Sequence, residues 1–178
     1  MNTYIALFRG INVGGNNILP MKDLVAILQA LGYEGVQTYI QSGNAVFKSR
    51  ETIGAKGAAD ISREIFKKMG FEPKVLLLSH KTLQEAIKNN PFPTSDGKAL
   101  HFFFLEQPCS KPNIEYLESL KIESEKFKLN KMTFYLYAPE GIGRSKLAAA
   151  TGKALGVSLT ARNWNTVNKL AFMIEQLL

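Results

Sequence analysis

The chain has 178 residues, 46% of them hydrophobic, and 22 lysines and arginines outnumber 15 aspartates and glutamates to leave a net charge of +7. That is enough chain to bury a substantial core in one domain or two small ones, and the charge favours anionic partners such as nucleotides, phosphorylated metabolites or RNA. One cysteine and two histidines argue against a disulfide framework or a zinc site, and no apolar run nears the ~20 residues of a membrane span, so a cytoplasmic protein is expected.

In chain order, residues 3–9 are rich in β-formers and read as a first strand. The glycine-rich stretch Arg9-Gly10-Ile11-Asn12-Val13-Gly14-Gly15-Asn16-Asn17 follows it and runs towards a helix. In that helix Leu24, Ile27, Leu28 and Leu31 repeat at helical spacing, Pro20 suits the first turn, and Gly32 is a natural stop. Residues 36–41 and 45–49 form a hairpin turning at Ser42-Gly43-Asn44. A second helix, weakened by Gly54 and Gly57, holds through Ile61, Ile65 and Met69, and a buried strand over 73–78 completes the order β-α-β-β-α-β.

Ser79 caps a third helix that stops before Pro91, and Asn90-Pro91-Phe92-Pro93-Thr94-Ser95-Asp96-Gly97 is turn chemistry, the best linker in the chain. Beyond it come a strand over 99–106, a helix over 112–120, a hairpin of 126–129 with 132–138, a helix over 145–155 and a strand over 157–162. The order β-α-β-β-α-β repeats. The expected fold is therefore α+β, with two ferredoxin-like subdomains: residues 1–79, a connecting helix and proline-rich linker over 80–97, and residues 98–178. The second subdomain carries an added C-terminal helix over 166–178.

Four loops are richer in polar residues than turns require. Around Gly14 and Gly15, the donors of Arg9, Asn12 and Asn16 could hold an anion, although the same residues also suit a tight strand-to-helix connection. Ser42 and Asn44 belong to a turn that accounts for them without a ligand. In Gly141-Ile142-Gly143-Arg144-Ser145-Lys146, backbone N–H groups at a helix start stand beside two cations, which suits a phosphate. In Arg162-Asn163-Trp164-Asn165-Thr166, Thr166 suffices as the helix cap, so Arg162, Asn163, Trp164 and Asn165 are left for a ligand, or Trp164 covers a core edge. Ferredoxin-like topology makes the first two loops neighbours and the last two neighbours. Whether the pairs make one site or two is left open by the sequence.

The blocks R-G-I-N-V-G-G-N at 9–16, T-Y-I-Q-S-G-N-A-V-F at 38–47, P-E-G-I-G-R-S-K-L at 139–147 and T-A-R-N-W-N-T-V-N-K-L at 160–170 closely resemble the bacterial domain-of-unknown-function family 1697. The resemblance spans nearly the whole chain and implies two ferredoxin-like subdomains. It implies no biochemical activity, and it leaves the cofactors unknown. Its signature blocks coincide with the polar loops.

The loops carry little proton-transfer chemistry: no histidine stands near a nucleophile, no Gly-x-Ser-x-Gly elbow is present, and Glu140 is their only acid. No metal is expected there, and the sequence does not decide whether the protein is an enzyme. Three functions compete: a binder of a phosphorylated or anionic small molecule, an RNA-binding module that stacks bases on Tyr4, Phe8, Phe134 or Tyr137, and a non-catalytic scaffold or interaction protein.

Overall fold

The computed structural model describes all 178 residues, Met1–Leu178. The architecture is α+β, with two four-stranded antiparallel sheets, consistent with two duplicated ferredoxin-like subdomains. By contact the chain divides into two compact units, Met1–Gln84 with Lys169–Leu178, and Glu85–Asn168. The last ten residues thus group with the first unit, whereas chain order alone would leave the whole terminal helix with the second.

In the first unit, β1 (Asn2–Arg9), α1 (Met21–Ala30), β2 (Glu34–Thr38), β3 (Asn44–Ser49), α2 (Ala55–Met69) and β4 (Lys74–Ser79) follow in order. The sheet order is β2-β3-β1-β4. Alternation along β1 sends Tyr4, Ala6 and Phe8 into a core with Leu24, Ile27 and Leu28 of α1 and Ile61 and Ile65 of α2. Burying each large apolar side chain stabilises the fold by about 1.5–3 kcal/mol. The strand expected over 36–41 lies earlier, at Glu34–Thr38, because Ile40 has φ 51 and cannot extend it, while the β2–β3 register shifts between Glu34 and Gln37.

The helix α3 (His80–Lys88) is capped as expected, the Ser79 Oγ accepting from Thr82 N at 3.1 Å. The second unit continues through β5 (Leu100–Leu105), α4 (Ile114–Leu120), β6 (Lys126–Leu129), β7 (Thr133–Tyr137), α5 (Lys146–Leu155) and β8 (Leu159–Asn163). Its sheet order, β6-β7-β5-β8, repeats that of the first sheet. Phe103, Leu105, Phe134 and Leu136 pack with Leu117 of α4 and Leu147 and Leu155 of α5. The last helix, α6 (Trp164–Glu175), starts two residues before the expected position. Asn163, not Thr166, caps it: the Asn163 Oδ1 accepts from Thr166 N at 3.0 Å.

Candidate functional site

The glycine-rich stretch after β1 folds as a miniature hairpin. Gly14 and Gly15 have φ 57 and 77, the two positive values that a tight type I′ turn requires and that glycine adopts without strain. Asn16 N donates to Val13 O at 3.0 Å and Asn12 N to Asn17 O at 3.1 Å, so these two backbone amides are engaged inside the hairpin. The side chains are committed as well. Asn12 Nδ2 donates to Leu19 O at 3.0 Å and to Gln41 O at 2.8 Å, its Oδ1 accepts from Leu19 N, and Asn17 Nδ2 donates to Gly10 O. Asn16 Nδ2 reaches only Gly14 O, at 3.5 Å. The result is an arm whose Val13 is 65% exposed and whose following Ile18 is 52% exposed.

As the topology requires, this arm and the 42–44 turn are neighbours. Phe8 N donates to Gly43 O at 2.9 Å, and a Cβ on Gly43 would stand 2.6 Å from Ile11 Cδ1. Asn44 is fully buried, and its Nδ2 donates to Tyr39 O and, at 3.3 Å, to the exposed Ser42 Oγ. Since Tyr4, Ala6 and Phe8 face the helices, Arg9 takes the opposite face of the sheet, as does Asn44, the partner of Leu7.

In the second unit the 141–146 loop leaves β7 and the 162–165 segment ends β8, both beside the start of β5, where Leu100 pairs with Tyr137 and His101 with Asn163. A short 3-10 turn, Ile142–Arg144, leads into α5, and Ser145 Oγ accepts from Ala148 N at 3.0 Å. Gly143, Arg144 and Lys146 are exposed around that capped start. Arg162 lies elsewhere. It pairs with Phe102, while the adjacent Phe103 and Ala161 face the helices, so its side chain is on the face opposite α5. Burial pushes the guanidinium down to about 10, and Nη1 donates to Ala161 O at 2.8 Å.

The neighbours of Arg162 have structural tasks. Asn163 is the helix cap, Trp164 stacks on Phe102 with ring centroids 5.8 Å apart, and Asn165 lies so close to Gly97 that a Cβ there would be 1.9 Å from its Oδ1. That stacking is what coverage of a core edge by Trp164 would produce. His101, on the helix side beside Asn163, is buried with no hydrogen-bond partner for Nδ1; burial lowers its pKa, and the Ala99 backbone partly offsets this.

Sequence reasoning passed over a cavity of about 390 Å³ at the start of α2, lined by Tyr33, Arg50, Glu51, Lys56 and Asp60 among others. Gly54 and Gly57, which weaken the start of α2, are the trace it leaves in the sequence. No three His, Cys, Asp or Glu side chains gather in a way that could hold a metal ion. No helix is long and apolar enough to cross a membrane.

The fold is similar to that of the conserved bacterial protein SP0830 from Streptococcus pneumoniae, with a TM-score of 0.71 and 25% identity over 97% of this chain and 98% of that one. No protein of curated function matches the chain. The model of a family described as protein of unknown function, DUF1697, matches residues 1–135. With three-quarters of its length matched, and with the signature blocks in the loops just described, the chain belongs to the DUF1697 family.

Proposed function

We propose that this is a cytoplasmic protein that binds a phosphorylated or otherwise anionic small molecule, with Arg162 as the anchoring cation. The observation that carries the reading is the desolvation of that guanidinium, which burial alone pushes down to about 10. A cation removed from water is stabilised by an anion in bidentate contact, and a guanidinium matches phosphate and carboxylate oxygens in geometry. The net charge of +7 adds a long-range attraction for the same ligands. Arg144 and Lys146, exposed at the start of α5, stand on the other side of the sheet from Arg162 and add to the general positive field rather than to this anchor. With Glu140 the only acid in these loops, electrostatic stabilisation is the chemistry they favour if there is turnover.

Burial weighs against the RNA alternative, since Tyr4, Phe8 and Phe134 are at most 5% exposed and belong to the two cores, while Tyr137 alone of the four strand aromatics is half-buried. Arginine burial and aromatic burial thus favour a small ligand over stacked bases. The interaction-protein alternative keeps one specific support, the arm with exposed Val13 and Ile18.

Thermal denaturation with inorganic phosphate, pyrophosphate and a nucleoside monophosphate tests the proposal. A ligand at a hundredfold excess over its Kd should stabilise the protein by about 2.7 kcal/mol, and Arg162→Met should remove that gain. Equal stabilisation of wild type and variant, or none in either, would reject Arg162 as the anchor. An affinity that falls by orders of magnitude between low and moderate salt would instead indicate a polyanion with many phosphate contacts.

A further inference from the structure

The cavity at the start of α2 is walled by opposite charges. At about 390 Å³ it lies within the range of small-molecule sites. Leu31 and Ile53 give it apolar surface, and Gly32 and Gly54 leave it open, for a Cβ on either would meet nothing within 4 Å. Lys56 and Asp60 stand one turn apart on α2, and Glu51 lies on the approach to the helix. Neither Lys56 nor Glu51 is in an ion pair. Arg50 is answered by Glu34 at 3.0 Å, and Asp60 by Arg63 at 2.9 Å on the helix surface.

Tyr33, another wall residue, stacks on Phe47 with centroids 4.4 Å apart, which fixes the ring. Its pKa is raised by burial first, then by Asp60 and Glu51, so both carboxylates bear on the phenol, and the hydroxyl stays protonated. The cavity therefore has a negative pole at Glu51 and at Asp60, which Arg63 already answers, beside the neutral Tyr33 hydroxyl, and a positive one at Lys56 and at Arg50, which Glu34 already answers. A ligand with one charge would be attracted at one pole and repelled at the other, whereas a compact ligand bearing both would satisfy each.

We infer that this cavity is a second ligand site, for a zwitterion of α-amino-acid size whose ammonium meets Asp60, Glu51 and the Tyr33 hydroxyl and whose carboxylate meets Lys56. The site is independent of Arg162. Heteronuclear NMR titration of the full chain with each of the common L-amino acids, with inorganic phosphate and with 1,4-diaminobutane tests it. At least one amino acid should shift the Lys56 and Gly57 amides and the Tyr33 ring, binding about tenfold more tightly than phosphate or the diamine. Lys56→Ala and Asp60→Asn, both at the protein surface, should each weaken it about tenfold, while Arg162→Met leaves it unchanged. The inference is overturned if no amino acid shifts these resonances, if phosphate or the diamine binds there as tightly, or if both cavity variants bind like wild type.

Discussion

The second helix of each unit occupies the same place in the same topology, yet the two begin differently. α5 starts from Ser145, whose hydroxyl caps it, directly after a 3-10 turn. α2 starts from Gly54 with no side-chain cap and an open cavity in front. Both end alike, on a left-handed glycine, Gly70 with φ 80 and Gly156 with φ 63. The ends of these helices are fixed by backbone geometry that any copy of the fold must satisfy. Their beginnings are free to differ, and there one copy has an uncapped glycine beside a cavity and the other a side-chain cap.

The largest effects should come from the glycines that let backbone pack closely in each unit. Gly43→Ala combines φ +84 with a Cβ 2.6 Å from Ile11 and 2.7 Å from Phe8, and should cost about 2–4 kcal/mol in denaturant unfolding. Gly97→Ala first meets the carboxamide head of Asn165, which can rotate, so a smaller loss of about 1–3 kcal/mol is expected. A reversed order would mean that the second unit packs the more rigidly of the two.

Next in size is the capping contrast itself. Ser145→Ala should cost about 1 kcal/mol by chemical denaturation. Thr52→Ala, two residues ahead of Gly54, should stay within about 0.5 kcal/mol, because its hydroxyl accepts only from Asn2 and caps nothing. Equal losses would erase the distinction between the two helix starts.

The units should also differ in their response to pH. The His101 pKa is lowered, so the folded state prefers the neutral imidazole. The unfolded chain then takes up protons first, and stability should decline as pH falls below the ordinary histidine value of about 6.5, levelling off below the folded pKa. Equilibrium unfolding of wild type and His101→Gln across that window should separate in slope. Tyr33 works in the opposite direction: its raised pKa gives stability that is complete below about 10 and declines as pH climbs through the folded value. Tyr135 of the second unit, raised to about 12 by burial, adds to the alkaline loss. Only the acid limb is therefore diagnostic of one unit. Smallest of all, Arg144→Ala, at an exposed position on the turn before α5, should shift stability by no more than about 0.5 kcal/mol.

The order of the elements, the phase of the core helices, the glycine stops and the cap at Ser79 were legible from local signals, because spacing and capping act within a few residues. The same signals placed the polar loops at strand and helix ends. The sequence by itself thus determined a duplicated α+β fold and the segments most worth inspecting. Which way the polar groups in those segments face was decided by tertiary structure. Asn12 offers the same donors in any conformation, but its partners Leu19 and Gln41 lie 7 and 29 positions away and meet it only once β1 and the β2–β3 turn are aligned. Arg162 and Asn163 are adjacent in sequence and part to opposite faces only because β8 pairs with β5 in one register. The cavity before α2 depends on what is missing around Gly54, and empty space has no residue of its own to announce it.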